Sequence, residues 1–502
     1  MSEDPGVDRL IHTVLKPGFA GHETPPRWLA DAIDRGLGGV VYFSHNIGDV
    51  DTTAALSRQL HELGDVLIAT DEEGGIVSRL GARAGSPHVG AAMLGRVDDV
   101  DATRNVGAAI GADLRASGID VDLAPVVDVN SNPNNPVIGV RSFGADPDLV
   151  ARHAVAYAEG LQSTGVAATA KHFPGHGDTA VDSHVGLPRV DAPLEVLRQR
   201  ELAPFEAAVR AGVRAVMTAH VILPALDPSR PATISAPVLS LLRDELGFDG
   251  VIMTDALDMG AIRDTIGLGE GCVQALLAGA DLLGLGNPVL GATNPDKDVQ
   301  VFTEARTALQ RAVDEDRLPV ERLEEAAARI DALRRWRQSR PTRVPVADDA
   351  ADLSVARRSP ATRGVVRTGR ERLRILDIRR QRNVAAGALP ALTVQALLDT
   401  APGSSVTSAF VLPEAVEGHA DETALVLRPD LPVADVVVTG SPGHDSAEDD
   451  QLRRALAANP DALVLVLGYA TGDEELCGAR RAIWTFGDSV PTAAAVAELV
   501  TR

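Results

Sequence analysis

The sequence contains few lysines, cysteines and aromatic residues, and its charge is strongly of one sign. Lysine occurs only at positions 16, 171 and 297, so arginine carries nearly all of the positive charge. Aromatic residues make up 3% of the chain, and the formal net charge is −22. An acidic chain without a basic patch is not expected to bind nucleic acid or an anionic membrane surface.

Long apolar runs are also missing, which excludes proteins that cross a membrane through apolar helices. No run reaches the length of about 20 residues that a membrane-spanning helix needs. The acidic N-terminus MSEDPGVDRL does not have the pattern of a signal peptide. Cys272 and Cys477 lie far apart in the sequence, so we expect two buried thiols rather than a disulfide or a metal pair. Together these features predict a cytoplasmic protein.

What the first two thirds of the chain do contain is an alternation of short β-branched segments with helical patterns. Eight segments are candidate strands, namely 9–15, 38–44, 65–71, 120–126, 166–172, 213–219, 250–256 and 280–286. Eight such units over this length predict a TIM-type (β/α)8 barrel, with a doubly wound open sheet as the alternative that shares the local pattern. A charged helix predicted over 320–338 ends this region.

The last third has a different, shorter pattern. Residues 341–350 contain proline and mixed charge without periodicity, which is typical of a linker. Candidate strands follow at 372–378, 408–412, 434–440, 461–469 and 482–486, and a helical pattern occupies 447–459. We therefore predict a catalytic barrel over 1–340, a linker over 341–350 and a smaller αβα sandwich domain over 351–502.

The segment KHFPGHGDTAVDSH, residues 171–184, is the richest in ionisable groups. Its glycines and proline predict a loop that follows the buried strand VAATA. Asp182 and His184 are two residues apart, so in an extended loop they point the same way, and the carboxylate can orient the imidazole of a general acid/base. A structural Asp–His hydrogen bond is the alternative. Metal ligation by His172, His176 and His184 fits no common zinc spacing.

Ionisable residues also end several other candidate strands. They are Asp71, Arg141 on the loop after the 120s strand, Lys171 with His172, His220, and Asp255. In a barrel the carboxyl ends of all strands lie on one face, so we expect these side chains to form one site. A phosphate-binding glycine loop and a serine nucleophile elbow are both missing. Three classes stay open: glycosyl transfer through a carboxylate nucleophile, metal-assisted hydrolysis, and non-catalytic sugar or metabolite binding.

Five motifs together resemble glycoside hydrolase family 3, in particular its NagZ-like β-N-acetylglucosaminidase branch. They are ATDEEGG, NPVIGVRSFG, KHFPGHGDTAVDSH, VMTAH and GFDGVIMTDAL, and they extend over the whole predicted barrel. The resemblance implies a retaining, exo-acting β-N-acetylglucosaminidase. Its substrates would be terminal N-acetylglucosaminides of cell-wall (muropeptide) or chitin origin, and the reaction would need no metal and no other cofactor.

The resemblance also implies a role for each matching residue. Asp255 matches the nucleophile, His184 the acid/base on a mobile loop, and Asp182 the partner that orients it. The residues that match those holding the terminal sugar are Asp71, Arg79, Arg141, Lys171 and His172. No catalytic residue is expected from the C-terminal domain.

Two departures and one alternative accompany this interpretation. Ile76 stands where many relatives have an arginine, and TDAL around Asp255 replaces the more usual SDDL. A neutral imidazole does not repel phosphate as a carboxylate would, so a phosphorylase that uses the same site is the alternative to a hydrolase.

Overall fold

The structure is a computed structural model. It describes residues 4–180, 187–287, 296–339, 349–379, 391–411, 426–427, 431–440, 445–469 and 476–501. The α-helices of these residues are α1 Pro5–Thr13, α2 Arg27–Asp34, α3 Val50–Leu63, α4 Ala91–Val97, α5 Val100–Ala116, α6 Pro147–Ser163, α7 Leu194–Gln199, α8 Leu202–Arg210, α9 Ala236–Ser240, α10 Gly260–Arg263, α11 Leu268–Ala278, α12 Lys297–Asp314, α13 Val320–Gln338, α14 Asp349–Arg358, α15 Leu392–Thr400, α16 Ser446–Ala458 and α17 Val490–Thr501.

The β-strands of the same residues are β1 Leu15–Lys16, β2 Gly39–Tyr42, β3 Leu67–Thr70, β4 Glu72–Gly74, β5 Val77–Ser78, β6 Val121–Asp122, β7 Ala167–Phe173, β8 Ala215–Thr218, β9 Ile222–Leu223, β10 Asp227–Pro231, β11 Val251–Thr254, β12 Leu283–Gly284, β13 Ala361–Arg363, β14 Arg374–Asp377, β15 Ser405–Ser408, β16 Phe410–Val411, β17 Val426–Leu427, β18 Val436–Thr439, β19 Leu463–Val466 and β20 Arg481–Trp484.

Eight parallel strands close into a barrel. Strands β2, β3, β6, β7, β8 and β11 pair in that order. Strand β12 pairs with β1, and parallel bridges join Gly18 to Val41 and Met253 to Leu282, so the ring closes on itself. This closure confirms the predicted TIM-type barrel and excludes the open, doubly wound sheet. The segments β4–β5 and β9–β10 are antiparallel hairpins inserted after barrel strands.

The prediction for the first strand is wrong in its extent. Residues 9–13 belong to α1, and the strand is only Leu15–Lys16. Asp4 caps the helix by accepting a hydrogen bond from the Gly6 amide at 2.8 Å, and Pro5 occupies the first helical turn. Both features start a helix, whereas the short apolar run fits either period.

The C-terminal region forms a second, open sheet in the order β13-β20-β19-β18-β14-β15. All its pairs are parallel except that of the edge strand β13 with β20. Apolar side chains are buried on both faces of the sheet, and helices cover them, as in the predicted αβα sandwich. The predicted strand at 408–412 contains the short strand β16, Phe410–Val411. The sequence analysis missed β13 and β15, which are short and largely exposed and have no apolar run.

Three smaller findings complete the fold. The predicted domain boundaries stay a prediction, since residues 340–348, most of the predicted linker, lie outside the described residues. Cys272 is buried, Cys477 is half-buried, and neither forms a disulfide. Among the described helices, none combines the length and apolar character needed to cross a membrane.

Candidate active site

A cluster of buried charges lies at the carboxyl ends of β3 and β7. Lys171 Nζ donates to Asp71 Oδ1 at 2.8 Å and lies 2.6 Å from Glu73 Oε1. The Arg79 guanidinium approaches Asp71 Oδ2 at 3.4 Å. The structure thus brings together the predicted residues Asp71, Arg79 and Lys171, and we call this group, with Glu73 and Arg141, the charge cluster.

Glu73 is a member of the charge cluster that the sequence analysis missed. Its two carboxylate oxygens accept hydrogen bonds from Nε and Nη2 of Arg141 at 2.9 and 2.8 Å, which is a bidentate pair. The signal was present in ATDEEGG, because residues two apart in an extended segment point the same way, so Glu73 follows Asp71. Arg141 is therefore half of a buried ion pair.

The cluster keeps its charges because its members compensate one another. Burial alone would raise the pKa of Asp71, but Lys171 and Arg79 hold it well below its usual range. Burial alone would also raise the pKa of Glu73, but Arg141 and Lys171 lower it. The pKa of Lys171 is raised in spite of burial, because Asp71 and Glu73 are close. All of these groups are charged at neutral pH, in fixed positions.

His172 is held by a second carboxylate that the sequence analysis did not identify. Its Nδ1 lies 2.7 Å from Asp128 Oδ2, and its Nε2 lies 3.5 Å from Nη2 of Arg141. The His176 amide donates to Asp128 Oδ1 at 2.7 Å. A carboxylate on Nδ1 orients the ring and directs Nε2 toward the charge cluster. Burial lowers the pKa of His176 to about 4, so this second imidazole is neutral.

Two glycines allow the close backbone contacts that shape the site. Gly74 has φ of 76°, and a Cβ on it would lie 2.5 Å from the carbonyl oxygen of Val89. A Cβ on Gly177 would lie 1.8 Å from the carbonyl oxygen of Val129. Larger residues at either position would push the charge-bearing loops away from the barrel.

Asp255 directly follows β11 at the same end of the barrel. Its amide donates to the Thr218 carbonyl at 3.3 Å, and its Oδ1 accepts from the Ala256 amide at 2.7 Å. His220, which also ends a barrel strand, is fully buried and lies 2.8 Å from both the Thr233 hydroxyl and the Ala256 carbonyl. Strand pairing thus fixes the backbone of Asp255, and His220 holds the following residue, Ala256.

The comparisons with known proteins agree with this geometry. The profile of the family described as "Glycosyl hydrolase family 3 N terminal domain" matches residues 13–333.

This chain belongs to glycosyl hydrolase family 3.

Its family 3 relatives include proteins named as hexosaminidases. The chain is 36% identical to a β-hexosaminidase A of Pseudoalteromonas piscicida over 67% of this chain and 58% of that protein. It is 38% identical to a β-hexosaminidase of Xylella fastidiosa over 52% of this chain and 79% of that protein. The chain thus spans little more than half the length of the first of these relatives.

A solved family 3 structure resembles nearly the whole chain. It is a β-N-acetylglucosaminidase from Paenibacillus, with a TM-score of 0.82 and 31% identity, and the match covers 98% of this chain and 96% of that one. The expected resemblance to family 3 is therefore confirmed, and the likeness extends over the barrel and the C-terminal sheet.

The predicted acid/base pair of this family 3 chain, Asp182 and His184, lies outside the described residues. The start of the same loop is described and firmly held. Nδ2 of the Asn135 side chain donates to the carbonyls of His176 and Gly177 at 2.8 and 3.1 Å, and Asp178 pairs with Arg200 at 2.6 Å. In the described part of the chain, no group of three His, Cys, Asp or Glu side chains has the geometry to hold a metal ion.

The C-terminal region also reaches the mouth of the family 3 barrel. A small cavity is lined by Glu73, Ile76 and Arg141 from the barrel and by Phe486 from the segment after β20. The Phe486 ring lies 4.6 Å beneath the guanidinium of Arg96. Ile76 thus forms an apolar wall of this cavity together with an aromatic ring from the C-terminal region.

Proposed function

We propose that this family 3 protein is a retaining, exo-acting β-N-acetylglucosaminidase. The observation that carries the proposal is a rigid charge cluster beside a strand-end carboxylate, Asp255, at the mouth of a barrel. Buried charges held in place by one another are suited to bind sugar hydroxyls and to stabilise charge that develops in a transition state. The names of the relatives support a hexosaminide as the substrate.

In the first half-reaction, Asp255 attacks the anomeric carbon and forms a glycosyl ester. The bond to the leaving oxygen breaks, and that oxygen takes a proton from His184, which Asp182 orients. In the second half-reaction, water gives a proton to His184 and displaces Asp255 from the sugar. Two inversions at the same carbon give net retention. Asp182 and His184 enter this scheme through their sequence motif.

The charge cluster would hold the terminal sugar. Asp71 can accept hydrogen bonds from sugar hydroxyls, whereas Lys171, Arg79 and Arg141 can donate them. His172, directed by Asp128, would contact the same ring. Because these groups are already ordered and desolvated, binding would need little rearrangement.

Water is the acceptor that the charges favour. With Asp71 as the only carboxylate, Lys171, Arg79 and Arg141 would leave a surplus of positive charge that attracts phosphate. With Glu73, two carboxylates neutralise much of the charge of Lys171, Arg79 and Arg141. Terminal N-acetylglucosaminides of cell-wall or chitin origin, met in the cytoplasm, are the substrates we propose.

The test is turnover of an aryl β-N-acetylglucosaminide by wild-type and Asp255→Ala protein. We expect the variant to lose activity by more than about a thousandfold while remaining folded. The first product, observed by NMR, should be the β-anomer. A matched control is Asp377→Ala, which removes a strand-end carboxylate of the C-terminal sheet and should leave turnover unchanged.

Each competing function predicts a different result in the same assay. Near-normal turnover by Asp255→Ala would contradict the nucleophile assignment. Activity lost on dialysis against a chelator and restored by zinc would indicate a metallohydrolase, and saturable sugar binding without product would indicate a binding protein. Accumulation of N-acetylglucosamine 1-phosphate in millimolar phosphate would identify a phosphorylase.

A further inference from the structure

Lys16, one of the three lysines of the chain, lies inside the barrel with few partners. It ends β1, and its residue is 2% exposed. Its Nζ lies 3.5 Å from Sδ of Met253, and a thioether is a weak acceptor. Among the described residues this is the only hydrogen bond of an ammonium group that has three donors, and no carboxylate oxygen lies within ion-pair distance.

The position of Lys16 in the barrel directs it toward the reaction centre. Strands β1, β3, β7 and β11 are the alternate strands of the ring, and side chains from alternate strands share a layer of a barrel interior. Met253, which Nζ touches, and Asp255 are two residues apart and point to the same side. The ammonium therefore lies one step below Asp255.

The electrostatic environment of Lys16 agrees with this position. Burial lowers the pKa of Lys16 to about 8, while the carboxylates of Asp71 and Asp255 oppose the decrease and Lys171 adds to it. Asp71 already has Lys171 and Arg79 as direct partners. Lys16 is thus a cation whose charge is available to Asp255.

We propose that Lys16 is a positioning residue that stabilises the Asp255 carboxylate when it leaves the sugar in the second half-reaction. The inference rests on the proposed function. In this step a water oxygen bonds to the anomeric carbon, the bond from that carbon to Asp255 breaks, and its electron pair stays on the carboxylate. The water proton goes to His184.

The two half-reactions depend on Lys16 in opposite ways. Negative charge appears on Asp255 in the second step. A buried cation below Asp255 therefore lowers the free-energy barrier to hydrolysis of the glycosyl ester. In the first step the same cation stabilises the carboxylate before it attacks, and because the negative charge disappears as the ester forms, the cation raises the barrier of this step. Loss of the charge should therefore slow only the second step, whereas a purely structural defect would slow both.

The test is Lys16→Met, which keeps an unbranched side chain and removes the charge. With an activated aryl glycoside the first step is fast, and kcat reports the second step. We expect kcat to fall by about tenfold, less than for the loss of a direct oxyanion donor, and KM to fall at least as much, so that kcat/KM does not decrease. Glycosylated Asp255 should accumulate and be detected by mass spectrometry after an acid quench.

The control is Lys297→Met, which alters an exposed lysine at the start of α12 and should change none of these values. A second readout is pH. The wild-type kcat should decline above about pH 8, where Lys16 loses its proton in the field of Asp71, Lys171 and Asp255. That decline should be missing from Lys16→Met. The variant should also unfold no more readily than the wild type, because it no longer buries an ammonium group.

The outcomes separate the two proposals. Equal falls in kcat and kcat/KM, or a less stable Lys16→Met protein, would overturn the role of Lys16 and leave the proposed function standing. If Lys16→Met had the wild-type kcat while the wild type is glycosylated on Asp255, the role of Lys16 would likewise be overturned and the proposed function would stand. A wild type that is active but never glycosylated on Asp255 would overturn both.

Discussion

The barrel and the C-terminal sheet are both built mainly from parallel strands, yet they use their strand ends differently. In the barrel, residues that end distant strands meet, as Lys171 and Asp71 do at 2.8 Å. In the C-terminal sheet, Asp377 ends β14 and pairs with Arg379 two residues later. A closed ring places its strand ends around one axis, whereas an open row of strands spreads them along a line. The comparison teaches that closure brings charged residues together.

We expect the largest effect from a substitution that breaks the charge cluster of the barrel. Glu73→Gln leaves Arg141 and Lys171 buried with one carboxylate fewer, and breaking a buried ion pair costs about 3–5 kcal/mol. We expect a loss of this size in the free energy of unfolding, measured by urea denaturation. The cations would also shift, so kcat/KM should fall about a hundredfold.

The matched variant in the C-terminal sheet is Glu448→Gln. Glu448 is buried, and its Oε2 accepts hydrogen bonds from the Thr439 hydroxyl at 2.9 Å and from the Gly440 amide at 3.1 Å. Weakening these contacts should cost about 1–3 kcal/mol without changing kcat/KM. If both variants impaired turnover equally, the contrast between the two regions would be wrong.

An intermediate effect concerns the contact that joins the two regions. His88 Nδ1 lies 2.9 Å from Asp352 on α14, and its Nε2 lies 3.0 Å from Asp113 on α5. Burial alone would lower the pKa of His88, but the two carboxylates raise it to about 10. The stabilisation is thus complete below about pH 6.5, the ordinary value, and is lost as pH rises through 10.

His88→Gln tests this link. At pH 6 the variant should be less stable than the wild type by about 2 kcal/mol, as expected for hydrogen bonds to charged groups. The difference should shrink as the pH approaches 10, because the wild-type imidazolium is then deprotonated. Urea unfolding at both pH values measures it. A difference that does not depend on pH would mean that His88 contributes by packing rather than by charge.

We expect the smallest effect from a substitution that tests whether the C-terminal sheet takes part in sugar binding. Phe486→Ala removes an aromatic wall of the cavity that Glu73, Ile76 and Arg141 also line. We expect KM to rise about threefold with kcat unchanged, because the ring contacts bound sugar equally before and during reaction. Trp484→Ala is the control, since Trp484 lies under Arg363 instead. An equal rise in both variants would point to a general disturbance of the sheet.

Much of this architecture could be predicted from the sequence, and the exceptions have clear causes. The period of apolar residues predicted seven of the eight barrel strands close to their positions, and the motifs predicted the family. Strands β13 and β15 were missed because they are exposed edge strands, which need no apolar run. Residues 9–13 were misassigned because a capped helix overrode an ambiguous pattern.

The sequence by itself determined the order of strands and helices, the membership of family 3 and the residue types that stand at strand ends. These follow from interactions between near neighbours in the chain and from local motifs. Only the tertiary structure decided the partners: Glu73 for Arg141, Asp128 for His172, and Met253 for the buried Lys16. The members of such pairs are far apart in sequence, by 68 residues for Arg141 and Glu73. Charges at that separation meet only because the barrel closes and removes them from water.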